Sequence, residues 1–490
     1  MFDLFQKPQR RDLRPHQAKA IEMLRSSLAR GNRRVVLQAP TGFGKTITAA
    51  KIIEMAQAKG RKVLFTVPRL ALVDQAVKDF HRDGIPHVGV IQGNHPRTDA
   101  TAPVQVASVQ TLARREVPDD FGLVIVDECH ETYRAIYDLM ARWPTVHFVG
   151  LSATPWAKGM GKHWQDLCIA TTIAELIDGG YLSRFIAYAP DVPDLSGVKT
   201  VAGDYAEDAL AAVMGENKLM ASVVETWLEK GEDRPTFCFG VNRAHAAFLQ
   251  AEFTRAGVSA GYCDANTDPA EMAWLEREFI NGNIRVMCSV RKMTTGIDWP
   301  VSCIIDAAPT KSEMLHVQKI GRGLRVNPGT EDLVILDHAG NSLRLGLVTD
   351  IYHDRLSTGD KATVERKPTA EKLPKECPSC AVLFSGKVCP SCGHERKPVG
   401  KVEYVDGELV EITGKKRAPS RAEKQAWWSG LLSIGSARRR SVGWAKHAYR
   451  DKFGMWPKGL IEVPAPATAE MWSYVKAKDI RFAKSRGRAA

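Results

Sequence analysis

Lys45 and Thr46 end the stretch RVVLQAPTGFGKT, residues 34–46, directly behind a turn that holds Gly42 and Gly44. A lysine and a hydroxyl in that order suit polyphosphate chemistry. Backbone N–H groups of the turn cradle the phosphates, the ammonium reaches the β- and γ-phosphates, and the hydroxyl binds Mg²⁺. Pro40, Thr41, Gly42, Phe43 and Gly44 would form the cradle. Ala39 stands where the general pattern G-x-x-x-x-G-K-[ST] has its first glycine, and a chance Gly-rich turn is the plainer alternative. Asp127 and Glu128, in DECH, are a second chemical pair. An Asp at the end of an apolar run can hold Mg²⁺ opposite Thr46, and the adjacent Glu can act as general base on water. The plainer alternative is a helix-capping acidic pair, since TYRAIYDLMARW follows. Arg322 and Arg325, in QKIGRGLR, would share a helix face and could together meet a γ-phosphate, unless they are a surface basic pair. Removing such an arginine finger typically costs ~10³ or more in rate.

These residues need elements to hold them. Arg34 to Gln38 is β-branched and apolar and reads as a buried strand, and ITAAKIIEMAQAKG behind Thr46 reads as a helix. Further strand–helix pairs follow, with strands at 62–67, 104–107, 123–126 and 146–151. Such alternation predicts a parallel sheet covered on both faces, with ligands at the carboxyl ends of the strands. A helix opening at LRPHQ and running to about Ala29 would lie over the nucleotide base, where Gln17 could read an adenine edge. A second α/β unit begins near Ser183, with strands at 236–239, 258–262, 285–289, 302–306 and 333–336 and no phosphate loop of its own. The predicted organisation is 1–182, 183–355, a linker at 356–375, a four-Cys element at 376–397, and a basic C-terminal region at 398–490.

The motifs in their order resemble a superfamily 2 helicase of the DEAD/DEAH-box class, in the branch that includes type III restriction motor subunits and many phage helicases. They are Gln17 in LRPHQ, APTGFGKT, VPRLALVDQ, SVQTL, DECH, SATP, TTGID and QKIGRGLR, spread over about the first 340 residues. The resemblance also accounts for Ala39, because this class uses A-x-T-G-x-G-K-T. It implies two tandem RecA-like parallel-sheet domains closing on ATP and Mg²⁺. It further implies that Gln318 senses the γ-phosphate with Arg322 and Arg325. By the same resemblance His130, Ser152, Thr154, Gly296 and Asp298 couple nucleotide state to nucleic-acid binding, and Arg69, Thr111 and Thr295 touch the nucleic-acid backbone.

Cys377, Cys380, Cys389 and Cys392 form two C-x₂-C knuckles, CPSC and CPSC, separated by eight residues. Four thiolates at this spacing can surround a structural Zn²⁺, and a pair of disulfides is the alternative. KVEYVDGELVEI, residues 401–412, reads as a β-hairpin around Asp406-Gly407, and Ser420 to Gly454 reads as helical.

The composition, 44% hydrophobic and 25% charged over 490 residues, is that of a globular chain with several domains. No apolar run approaches the ~20 residues that span a bilayer, which excludes a membrane partner. No secretory signal opens the chain, so the expected location is cytoplasmic, in a bacterium or a phage-infected host. The six scattered cysteines then read as reduced core thiols. The net charge of +12 belongs to the tail: from Arg355 onward there are 28 Lys+Arg against 14 Asp+Glu. That tail carries Trp427, Trp428, Trp444, Trp456 and Trp472. It is either a nucleic-acid surface or a solvated basic surface over a small Trp core. The function expected is an ATP-dependent DNA helicase or translocase in replication, recombination or repair, with DNA ahead of RNA as partner. The alternatives are the motor of a restriction-type nuclease complex, an RNA helicase, or a binding scaffold with a dead motor. Intact Lys45, Asp127, Glu128 and Arg322 argue against the last. A nuclease cluster, Pro193-Asp194 with Glu216-Asn217-Lys218, fits only nominally.

Overall fold

The structure, a computed structural model, describes residues 12–93, 95–131, 133–189, 193–201, 203–214, 217–294, 297–327, 329–359, 373–395, 421–453, 455–468, 471, 472, 474, 475 and 478. They fall into two compact units, one ending at Pro398 and one beginning at Val399.

The first unit is built on two parallel sheets. Strands β1 (Arg34–Gln38), β2 (Lys62–Val67), β3 (Val88–Ile91), β4 (Val104–Ser108), β5 (Phe121–Asp127), β6 (His147–Ser152) and β7 (Asp166–Ile169) form one, in the order β3-β4-β2-β5-β6-β1-β7. Val35 and Leu37 pack into a core on one face while Val36 packs into a core on the other, which explains the unbroken apolar runs. The parallel register sets Gln38 opposite Ser152, Asp127 opposite Leu151 and Val67 opposite Ser108. The polar strand ends therefore share one edge.

The second sheet is β8 (Arg184–Tyr188), β11 (Thr236–Phe239), β12 (Ala260–Cys263), β13 (Val286–Ser289), β14 (Cys303–Asp306) and β15 (Asp332–Leu336), in the order β12-β13-β11-β14-β15-β8. Its order repeats that of the first sheet without the outermost strand. A short hairpin, β9 (Thr200–Val201) and β10 (Asp204–Tyr205), lies between β8 and β11. Phe237 and Phe239 feed one core and Cys238 the other.

The four-Cys element carries β16 (Lys375–Glu376) and β17 (Leu383–Phe384) and packs on β8, the edge strand of the second sheet. Val382 and Phe384 meet Ile186 and Tyr188, and Leu383 enters the second sheet's own core. The hydroxyl of Ser385 donates to Asp350 at 2.7 Å.

In the second unit the stretch 420–454, read as helical, is two helices, Arg421–Ala437 and Val442–Phe453. They are broken where Arg439 adopts a left-handed φ of +52°. Trp428 is fully buried between them, with Leu431, Ile434 and Tyr449. The predicted hairpin at 401–412 and most of the linker lie outside the described residues. Strands β3, β7 and β8 were not predicted, and β12 begins two residues later than expected. All six scattered cysteines are buried free thiols, and no described helix is long and apolar enough to cross a membrane.

Candidate functional site

The turn after β1 is shaped by its glycines. Gly42 and Gly44 have φ of +71° and +88°, the region where side chains are strained. A Cβ on Gly42 would strike Leu182, and one on Gly44 would strike the Gln17 amide. Gly44 is the N-cap of the helix Lys45–Gln57, so Lys45 and Thr46 occupy its first turn, where the dipole favours anions. The turn is tied to β6 by the Ala39 N–H, which donates to the Ser152 carbonyl at 2.7 Å.

LRPHQ clamps this turn from outside. Gln17 is fully buried; its amide donates to the Phe43 carbonyl at 2.8 Å and accepts from the Arg14 N–H at 2.8 Å. Its amide thus grips the loop in this structure. Arg14 donates to the Gly42 carbonyl at 3.1 Å, and its guanidinium lies 4.9 Å from the centre of the Tyr181 ring. His16 contacts the rings of Phe43 and Tyr181, and burial lowers its pKa, keeping it neutral. Sequence reasoning missed Arg14, His16 and Tyr181. The first two were in view within LRPHQ, but Tyr181 arrives only through folding.

Asp127 ends β5 and Glu128 follows with a left-handed φ of +48°, a strained backbone at a chemically busy position. Lys45 forms an ion pair with Glu128 and stands 3.8 Å from Asp127. Burial pushes the Asp127 carboxyl up to about 6, against the pull of Lys45. Burial also acts on Glu128, but there the Lys45 ammonium wins and the pKa falls. Lys45 is raised, since the two carboxylates outweigh its own burial.

A hydrogen-bonded path leaves Glu128 for the second sheet. His130 Nδ1 lies 3.3 Å from Glu128 and 2.8 Å from the Ser152 hydroxyl. Its Nε2 faces the Gln318 amide nitrogen at 3.2 Å, which also donates to the Thr154 hydroxyl at 3.2 Å. That pairing makes Nε2 the acceptor and Nδ1 the N–H donor of a neutral imidazole; burial lowers the His130 pKa in agreement. A second bridge runs from the Thr41 hydroxyl to the Gly321 carbonyl at 2.9 Å. His130 and Thr154, expected as coupling residues, and Gln318, expected at the γ-phosphate, are thus brought together.

The shared helix face predicted for Arg322 and Arg325 is corrected. Their helix, Glu313–Gly321, ends before them. Its last turn tightens to three-residue bonds, Arg322 N–H to the Lys319 carbonyl and Gly323 N–H to the Ile320 carbonyl, and Gly323 packs on Ile304 and Leu333 where a side chain would not fit. Both arginines still converge on the Ile297 carbonyl, at 2.8 and 3.4 Å. Arg322 also donates to the Thr294 carbonyl at 2.8 Å, and Arg325 pairs with Asp298. Burial lowers the pKa of each, and the Glu128 carboxylate opposes this at Arg322, so that guanidinium faces the carboxylates of the other sheet.

The predicted backbone-contact residues are scattered. Arg69 is exposed beyond β2, while Thr111 is buried and bonds the Ser108 hydroxyl at 3.0 Å. Thr295 and Gly296 lie outside the described residues. Asp194 caps its own turn, accepting from the Ser196 N–H at 3.0 Å; Glu216 lies outside the described residues.

The four Cys sulfurs all lie within 4.8 Å of one another. Cys377 and Cys392 are 3.6 Å apart, and Cys380 and Cys389 are 3.7 Å apart. A disulfide needs about 2.05 Å, so the disulfide alternative is excluded. Thiolates at about 2.3 Å from a tetrahedral metal would be about 3.8 Å apart, which these pairs match. Both knuckles close alike: the first Cys N–H donates five residues ahead, and its carbonyl accepts from four residues ahead. The cluster can hold a metal ion.

Residues 10–157 match the family described as "Type III restriction enzyme, res subunit", and residues 218–327 match "Helicase conserved C-terminal domain". A "51.5 kDa protein" of a Lactococcus phage is 27% identical over 371 residues, covering 74% of this chain and 78% of its own length. The Saccharomyces cerevisiae protein IRC3, whose name places it provisionally among ATP-dependent helicases, is 30% identical over 359 residues, 67% of this chain. The chain spans only 52% of IRC3. A solved Type ISP restriction-modification enzyme, LlaBIII bound to DNA, superposes with a TM-score of 0.52 at 17% identity, over 67% of this chain and 28% of that one. With two family matches falling in turn on two like-ordered sheets, the chain carries the tandem motor domains of a superfamily 2 helicase, in the branch that includes restriction-enzyme motors.

Proposed function

We propose that the chain is an ATP-dependent DNA helicase or translocase whose two sheets close on ATP. The observation that carries this reading is the direct bridge of the phosphate-loop turn and DECH to the second sheet, at Thr41–Gly321 and His130–Gln318. Lys45 moves from Glu128 to the β- and γ-phosphates, and this exchange frees the Glu128 carboxylate to accept a proton from water. Mg²⁺, held by Thr46 and Asp127, would neutralise phosphate charge. Arg322 and Arg325 meet the γ-phosphate from the second sheet. Gln17, Arg14 and His16 hold the loop, with Tyr181 and Arg14 forming a surface for the base. Loss of the γ-phosphate removes the arginines' partner, and closure and opening become stepping along a strand. Arg69, Thr111 and Thr295 would meet the nucleic-acid backbone, with Gly296 and Asp298 relaying closure.

The polymer is DNA before RNA, in replication, recombination or repair, and the location is the cytoplasm. The four cysteines hold structural Zn²⁺, since four thiolates leave no open position for water. ATP hydrolysis should rise on adding single-stranded or duplex DNA, and more than with RNA; no stimulation by any polymer would sink the motor reading. Lys45→Ala should abolish turnover. A second reading, the motor of a restriction-type complex, is favoured by the match of residues 10–157 to restriction-motor subunits. Strand displacement by the purified chain alone would count against it.

A further inference from the structure

The motor leaves the second unit without a task. Between Arg421 and Lys478 the sequence has 11 Lys+Arg against 4 Asp+Glu. Its tryptophans divide into two kinds. Trp428 is fully buried and serves the core, whereas Trp456 and Trp472 are 39% and 38% exposed. Each of the outer ones is overlaid by a cation. The Arg450 guanidinium lies 4.8 Å from the Trp456 ring centre, Arg438 lies 5.3 Å from Trp472, and Arg440 lies 4.7 Å from Trp444. Trp444 packs against Gly435, where a Cβ would come within 3.5 Å of the ring.

Trp444, His447 and Arg450 follow at three-residue steps on the helix Val442–Phe453, so His447 neighbours both of the others and the set winds part of the way around the helix. Six residues of helix rise about 9 Å, which separates the two Arg–Trp pairs by about that much along the helix axis. The rings of His447 and Trp456 meet nearly at right angles with their centres 5.2 Å apart, a contact that positions Trp456. A guanidinium stacked on an indole keeps its N–H donors at the rim and offers its plane to a base. Duplex DNA hides its base faces; a single strand does not.

We propose that this part of the C-terminal unit is a second, nucleotide-independent contact for single-stranded nucleic acid, in which Arg440 and Arg450 meet phosphates and Trp456 stacks a base. The test is anisotropy of fluorescein-labelled oligo(dT) with the full chain and no ATP, repeated with oligo(U) and a blunt duplex. Arg440→Gln/Arg450→Gln should weaken oligo(dT) binding by about tenfold and lower the salt slope by about 1.4, two contacts at about 0.7 each. Trp456→Ala should cost roughly 5- to 100-fold, with Trp456→Phe restoring most of it. The kcat for ATP at saturating DNA should stay unchanged in all of these, while the DNA concentration for half-stimulation rises. Lys45→Ala should bind oligo(dT) as the parent does, which separates this contact from the motor. Equal loss with oligo(U) assigns the face to single strands of either sugar. Unchanged affinity and slope in the arginine double variant, or an equal loss on blunt duplex, would overturn the proposal. A thermal melt unchanged from the parent identifies a folded variant; if Trp456→Ala melts early, the arginine variant decides alone.

Discussion

Asp127 and Asp306 occupy the same place in two copies of one design. Asp127 ends β5, between β2 and β6, and Asp306 ends β14, between β11 and β15. Each faces a lysine, yet their environments part. Asp127 keeps about a quarter of its side chain (24%) exposed, beside a lysine equally open at 26%. Asp306 is sealed, bonded to Lys319 at 2.5 Å, to the Asn341 amide at 2.9 Å and to the Ala308 N–H at 3.2 Å. Burial works against its charge as well, but Lys319 and His316 hold its carboxyl well below the usual range. In one sheet the pair stays open to a substrate; in the other it is a staple. Lys319 sits on the helix that bears Gln318 and precedes Arg322, so the staple of the second sheet aims the residues that face the first.

The largest effect should come from the open side. Glu128→Gln and Arg322→Ala should each lower kcat by ~10³ or more, with unfolding curves close to the parent's. Stability should respond on the closed side. Lys319→Ala strands a fully sealed carboxylate and should cost about 3–5 kcal/mol in urea unfolding, more than Lys45→Ala, whose carboxylate partners keep some contact with water. Equal costs would break the comparison.

The pH dependences should have opposite signs. Asp127 is raised from 3.8 to about 6 in the fold, so the folded chain holds that proton more tightly. Its favourable contribution is full below about 3.8 and is lost as pH rises through about 6. Asp127→Asn, without Mg²⁺ or nucleotide, should therefore stabilise the chain by about 2 kcal/mol at pH 8, with the gain fading toward pH 4. In the parent, kcat/KM should fall on the acid side of about pH 6. Asp306 is depressed, so its contribution is present above the ordinary carboxylate pKa and is lost only as pH falls through its low folded value. Asp306→Asn should be destabilising at neutral pH. The smallest effect belongs to the bridge between the sheets: Thr41→Val removes one hydrogen bond, worth about 1 kcal/mol, and should raise the KM for ATP about fivefold.

The sequence made the open pair legible and hid the closed one. Glycine spacing, a strand before and a helix after are local, so RVVLQAPTGFGKT and DECH could be placed by pattern alone. CIID has the same form as VIVD, an acid closing an apolar strand, but Lys319 read as one more cation in QKIGRGLR. Only the return of that helix over β14 makes it a partner. The helix end at Gly321 was equally hidden, because the turn that tightens after it, with Gly323 lying against Ile304 and Leu333, is a product of tertiary packing. β8 begins with an arginine and pairs with a strand almost 150 residues later, so neither composition nor neighbours marked it. In the tail, the roles of the tryptophans were undecidable by residue type, since burial separates Trp428 from Trp456.

β8 corresponds in sheet order to β1, the strand that carries the phosphate loop, but it is an outermost strand with a partner only in β15. The four-Cys knuckles rest Val382 and Phe384 against its Ile186 and Tyr188. An uncovered outer strand is a template on which another chain can add itself. If the four thiolates hold Zn²⁺ as proposed, chelating it should first show itself as chain-to-chain association, visible by light scattering, before any loss of the remote phosphate loop.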